Sequence, residues 1–202
     1  MAWMDYVIIC RVIALLNERG MTDDELSFLL GKANNYVFGF IVKPSDKNRF
    51  TEDQLDLLPF ILRCTFREII PNGTPKGNIQ LYHTKLIDDE YKGFSHITYA
   101  AATDEGTRII WKKKKAPKGS FRKTNEELLG LLTQWTRSGY FDEKRTSLEI
   151  YKKIITDGEI TFRISELEKC LKILCSNRTS LLQKKSIDGI LMYWKRLEHI
   201  QG

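Results

Sequence analysis

Apolar residues recur three and four positions apart from Met4 to Asn17, with Ile8, Val12 and Leu15 in one row and Ile9, Ile13 and Leu16 beside it, which predicts a helix with a wide buried face. Two shorter elements follow. Thr22 with Glu25 forms a reciprocal cap signature that starts a helix at Asp23, and Leu26, Leu29 and Leu30 fall on its inner side. Gly31 stands where a helix end calls for positive φ, and a second short helix is expected from near Asn34, carrying Tyr36, Val37, Phe40 and Ile41 inward. Val42 to Arg49 reads as a loop from its Pro44, Ser45, Asp46 and Asn48. Thr51 with Gln54 repeats the capping logic ahead of Leu55, Leu58, Ile61 and Leu62, and Pro59 is expected to bend that helix or divide it. Thr65 to Ile70 completes the first domain, and Pro71 to Gly77 is the sharpest break in the chain.

Beyond the break the period changes. Ile79 to Leu86, Phe94 to Ala102 and Thr107 to Lys114 are rich in β-branched and aromatic residues, with turn residues at Asp88 to Gly93 and Asp104 to Gly106, so a three-stranded antiparallel meander is expected. Three cap signatures then open helices: Thr124 with Glu127, Thr146 with Glu149, and Ser165 with Glu168. Leu181 to Ile187, Asp188-Gly189 and Ile190 to Trp194 complete a β-hairpin whose two turn residues need positive φ. The resulting expectation is a mainly α fold with a small antiparallel sheet, α+β in class, divided into a domain over 1–75 and a second over 76–202 that includes the strands.

From Val7 to Ile70 the order of residues resembles the Xre/Cro-repressor-like helix-turn-helix family: an apolar helix ending in Arg19-Gly20, then Met21-Thr22, Glu25-Leu26, Leu30-Gly31 and Tyr36-Val37, and a later helix opened by Thr51. The resemblance implies a five-helix bundle whose third helix lies in the DNA major groove, with Asn34, Asn35 and Phe38 facing the bases. Three helices followed by a hairpin are, more loosely, similar to a winged helix. Asp23 stands where the first family usually has a phosphate-binding Gln and Ala33 where it usually has a capping Ser, so a reading without DNA stays open.

Charge sharpens this picture. The net charge is +6, yet residues 1–75 hold 8 Lys and Arg against 10 Asp and Glu, whereas residues 76–123 hold 11 against 5. Around the short second helix, Lys32, Lys43, Lys47 and Arg49 are candidate phosphate contacts, as are Lys112, Lys113, Lys114 and Lys115 in the most basic run and Lys184 and Lys185 in the hairpin. Trp111 and Phe121, flanking the run, offer stacking.

The chemistry of catalysis is not apparent. There is no phosphate-cradling glycine loop, no H-E-x-x-H and no G-x-S-x-G, and His83, His96 and His199 are scattered, so a non-enzyme without metal or cofactor is expected. His83 and His96 are read as strand histidines rather than ligands. Cys10, Cys64, Cys170 and Cys175 form no CxxC pair and read as core thiols, which suits a cytoplasmic setting. The opening MAWMDYVIIC meets Asp5 and Arg11 too early for a signal peptide or a membrane span.

Two functions fit. One is a transcription regulator that binds double-stranded DNA, with dimerisation left open. The other is a protein-interaction adaptor that keeps both helical folds and uses Phe38, Phe40 and nearby apolar surface against another chain.

Overall fold

In the computed structural model the described residues are 1–42, 45–70, 72, 79–87, 91–100, 107–114, 124–158, 160–176 and 180–196. They form eight helices with two small antiparallel sheets, an α+β fold. Pro71, Gly73 to Gly77, the residues expected to turn at 88–90 and 101–106, and residues 115–123 lie outside them.

The first helices are α1 (Trp3–Glu18), α2 (Asp23–Leu29), α3 (Tyr36–Val42), α4 (Glu52–Leu62) and α5 (Phe66–Ile69). Their starts follow the cap chemistry. Thr22 N–H donates to Glu25 Oε2 at 3.0 Å while Glu25 N–H donates to Thr22 Oγ1 at 3.1 Å, which satisfies donors at both ends of the first turn of α2. Gln54 Oε1 accepts from Thr51 N–H at 3.1 Å, and a third box, Thr65 N–H to Glu68 Oε2 at 2.7 Å, opens α5. The end of α2 is a Schellman turn: Lys32 N–H reaches Ser27 O at 2.9 Å and Gly31 N–H reaches Phe28 O at 3.0 Å, with Gly31 at φ +67°.

Two expectations need correction in this segment. Pro59 does not divide its helix, because α4 runs through it to Leu62. Leu58, Ile61 and Leu62, all buried, hold the last turn in place although Pro59 has no N–H to donate. The second short helix begins at Tyr36 rather than near Asn34, since Asn35 takes the left-handed φ of +67°.

By contacts the chain divides into two units, Met1–Leu26 with Asn35–Ser120 and Ser27–Asn34 with Phe121–Gly202. The strands thus group with the first helices, whereas a boundary between 75 and 76 was expected to group them with the last. In the first unit α1 and α4 both pack against α5, and Arg11 and Arg19 donate to the Arg67 and Arg63 carbonyls. Ile9, Val12, Leu16, Leu58, Ile61, Leu62 and Ile69 are buried there. Its sheet is the expected meander, β1 (Ile79–Ile87), β2 (Tyr91–Ala100) and β3 (Thr107–Lys114) in the order β1-β2-β3.

The second unit holds α6 (Glu126–Arg137), β4 (Arg145–Thr146), α7 (Ser147–Asp157), α8 (Ile164–Ser176), β5 (Leu182–Ile187) and β6 (Ile190–Lys195). The strand β4, two residues long and unforeseen, joins the hairpin to give the order β4-β6-β5. Helix α6 packs on α8, α8 on β5, and α7 on both β4 and β6, around Leu128, Leu132, Phe141, Ile150, Leu167, Leu171 and Leu182, none of which is exposed to solvent. Asp188 and Gly189 adopt φ +51° and +75°, the conformation a type I′ turn requires.

Here two caps differ from expectation and one agrees. Asn125, not Thr124, caps α6, its side chain accepting from Leu128 N–H at 3.0 Å. Helix α8 starts at Ile164, where Glu166 Oε2 reaches back to Arg163 N–H at 2.9 Å, so Ser165 lies inside the helix rather than before it. Thr146 and Glu149 form their box as expected, with Thr146 N–H on Glu149 Oε2 at 2.7 Å.

Candidate nucleic-acid interface

The candidate contacts are distributed over both units. In the first, α3 is only seven residues long and its sequence, YVFGFIV, has no charged or hydrogen-bonding side chain except Tyr36. Its anchoring is aromatic: Tyr36 meets Phe40 edge-on at 4.8 Å between ring centroids, and Phe40 meets Phe50 at 4.9 Å. Gln54 Nε2 donates to Tyr36 Oη at 3.0 Å, which fixes the start of α3 to α4. Asn35 is exposed, and its backbone N–H is held by Asp24 Oδ1 at 3.1 Å. Phe38 is half-buried.

Of the cations expected around this helix in the first unit, Arg49 Nη1 sits 2.9 Å from Asp5 Oδ2. That pairing engages the guanidinium within the unit, and a phosphate would have to compete with a carboxylate that is itself mostly shielded. Lys47 is exposed; Lys43 lies outside the described residues. In the meander, Lys112, Lys113 and Lys114 occupy the end of β3 and Lys115 falls outside the description. The register sets Lys113 opposite Lys92 and Lys114 opposite Tyr91. His83 and His96 also stand directly opposite one another in the register.

In the second unit Asn34 is exposed and Lys32 is half-buried, its Nζ donating to Gly189 O at 2.8 Å. Lys184 and Lys185 are both exposed on β5, opposite Tyr193 and Met192. More cations gather on the same hairpin than the sequence signalled. Lys144 Nζ lies 5.7 Å from the Trp194 ring centre, Lys195 and Arg196 are exposed, and Arg196 Nη1 donates to Ser180 Oγ at 2.7 Å. Lys144 escaped notice because β4, which brings it beside the hairpin, is too short to leave a period. The face of α8 is less open to an anion, since Lys172 Nζ pairs with Glu168 Oε1 at 2.6 Å.

The chemistry elsewhere is quiet. All four cysteines are free, and burial pushes the Cys10, Cys170 and Cys175 thiols up to about 11, so they remain protonated and weakly nucleophilic near neutrality. Among the described residues no cluster of His, Cys, Asp and Glu could hold a metal ion, and no helix is long and apolar enough to cross a membrane. Comparisons with protein-family models, curated proteins and solved structures return no match to this chain.

Proposed function

We propose that this protein is a transcription regulator that binds double-stranded DNA, with an Xre-like helix-turn-helix in its first helices and a winged-helix arrangement in its second unit. The observation that carries the reading is the sheet order β4-β6-β5, with β4 inserted between α6 and α7 and the exposed lysines 184 and 185 on the hairpin. A hairpin so constructed suits the sugar-phosphate backbone, where each lysine releases condensed counterion. The consecutive lysines at the end of β3, Lys112, Lys113 and Lys114, suit a polyanionic partner. Base reading is assigned to Asn34, Asn35 and Phe38; asparagine pairs in bidentate fashion with adenine and an aromatic edge meets a thymine methyl.

The adaptor reading keeps two specific observations in its favour. Helix α3 is apolar almost throughout, and Phe66 at the head of α5 is 48% exposed. Selection of bound duplexes from a random pool at moderate salt tests the regulator. Enrichment of a short site, with affinity falling steeply as salt rises, is the expected result. Absence of any salt-dependent retention of duplex would leave the adaptor as the function.

A further inference from the structure

Helix α6 buries one side within its unit and presents the other to solvent. Leu128, Leu132, Trp135 and Thr136 are the buried residues. Glu126, Leu129, Gly130, Thr133, Gln134 and Arg137 follow one another at helical spacing on the opposite side and line a shallow depression there. Glu126, Gly130, Gln134 and Arg137 are exposed, and Leu129 and Thr133 half-buried. A Cβ added to Gly130 would meet no atom of the described residues within 4 Å. Glycine is, after proline, the costliest residue in a helix interior, and within the described residues neither a positive φ nor a close neighbour calls for it at this position. Thr133 Oγ1 donates to Leu129 O at 2.8 Å, so the hydroxyl needs no outside partner and a neighbour gains from the methyl.

This stripe is complementary to its own reverse. Glu126 and Arg137 lie equally far from the helix midpoint between Leu131 and Leu132, as do Leu129 and Gln134, and Gly130 and Thr133. A second α6 turned end for end therefore sets Glu126 against Arg137 at both ends of a contact about 16 Å long, and Thr133 against the open space at Gly130, twice. A parallel neighbour would instead set acid on acid and base on base. We propose that two copies of this chain associate through α6, antiparallel about a twofold axis that passes midway between Gly130 and Thr133. In such an isologous contact every residue pair occurs twice, so each charge match and each mismatch counts double. Two helices of this length bury less surface than a standard interface, and the dimer is accordingly weak and reversible. The pairing needs no nucleic acid and stands whether or not the hairpin meets DNA.

Sedimentation equilibrium of the full chain, with protein alone, tests this. The wild type is expected to pass from monomer to dimer as its concentration is raised to about 1 mM, where even a weak specific contact is populated. Arg137→Glu makes both end contacts like-charged and should weaken association about tenfold. Adding Glu126→Arg reverses both charges of the stripe and should restore association, although it opposes the dipole at each end of α6 and so lowers the thermal midpoint. Gly130→Gln fills the depression and should abolish the dimer while raising the thermal midpoint of the dilute monomer, because a good helix former replaces glycine. That rise separates loss of the contact from loss of the fold. A chain that stays monomeric throughout overturns the proposal, and so does a dimer whose association constant is unchanged by Gly130→Gln or by Arg137→Glu. A double reversal that associates no better than Arg137→Glu alone overturns the antiparallel pairing.

Discussion

Gly31→Ala combines two separable costs, and the chain contains a control for one of them. Gly31 holds φ +67° and Gly158, which caps α7 in the same unit, holds φ +77°. An L-residue in the left-handed region costs about 1–2 kcal/mol, of which about 0.4–1 kcal/mol is recovered because alanine restricts the unfolded chain. Gly158→Ala meets only Thr156 O, at an ordinary 3.8 Å, so it should lose about 1 kcal/mol by that balance. Gly31→Ala adds a 2.7 Å approach to Ile190 Cγ2 and 3.4 Å to the Leu191 nitrogen. Forcing a methyl into such space typically costs a further 1–3 kcal/mol or so, giving about 2–4 kcal/mol in all. Urea unfolding followed by tryptophan fluorescence measures both variants, since Trp135 and Trp194 belong to the second unit. Adding Ile190→Ala to Gly31→Ala should remove most of the excess, and the cycle would show a favourable coupling of about 1–3 kcal/mol between the two changes. Equal losses for Gly31→Ala and Gly158→Ala would refute the close packing of the turn against Ile190.

Other outcomes follow from individual contacts. Phe141→Ala should cost about 3–5 kcal/mol in a denaturant titration, because a fully buried ring is removed from the α6–β4 connection. Thr146→Ala removes the hydroxyl that accepts from Glu149 N–H at 3.2 Å and should cost about 1 kcal/mol, seen as a lower thermal midpoint by circular dichroism. Replacing Lys184 and Lys185 together by glutamine should flatten the logarithmic salt dependence of duplex binding by about 2, whereas Arg49→Ala, which breaks a contact to Asp5, should leave that slope unchanged. Stability should be full below about pH 9 and fall as the pH rises toward about 11, because the buried Cys170 thiol and the half-buried Cys10 and Cys175 thiols hold their protons where the unfolded thiols have lost them. A urea midpoint that is flat across that window would contradict the shielding of these thiols from water.

Local chemistry was the legible part of the sequence. Thr22, Thr51 and Thr146 each start a helix with the partner three residues on, and Asp188-Gly189 marks its turn, because these signals act over four residues and need no distant neighbour. Where two cap residues compete the spacing alone misleads: Asn125 outranks Thr124, and Glu166 reaches a backbone N–H with no hydroxyl before it. Pro59 is the reverse case, a local breaker overridden by buried neighbours on both sides. The candidate interface was less legible. Nothing in the local pattern of Lys32 reveals a bond to Gly189, and nothing near Arg49 reveals Asp5, 44 residues away. Such engagements depend on which segments meet, and they decide whether a cation is available to a partner.

The strand order β4-β6-β5 has one more consequence. It leaves β5 at the outside of its sheet, and an open rim of backbone donors and acceptors invites a strand from a second molecule. Lys184 and Lys185, consecutive on that rim, act as gatekeepers by charge repulsion, keeping neighbouring chains from stacking onto it. Neutralising both should therefore raise the tendency to self-associate at high protein concentration, whatever the natural partner of the hairpin.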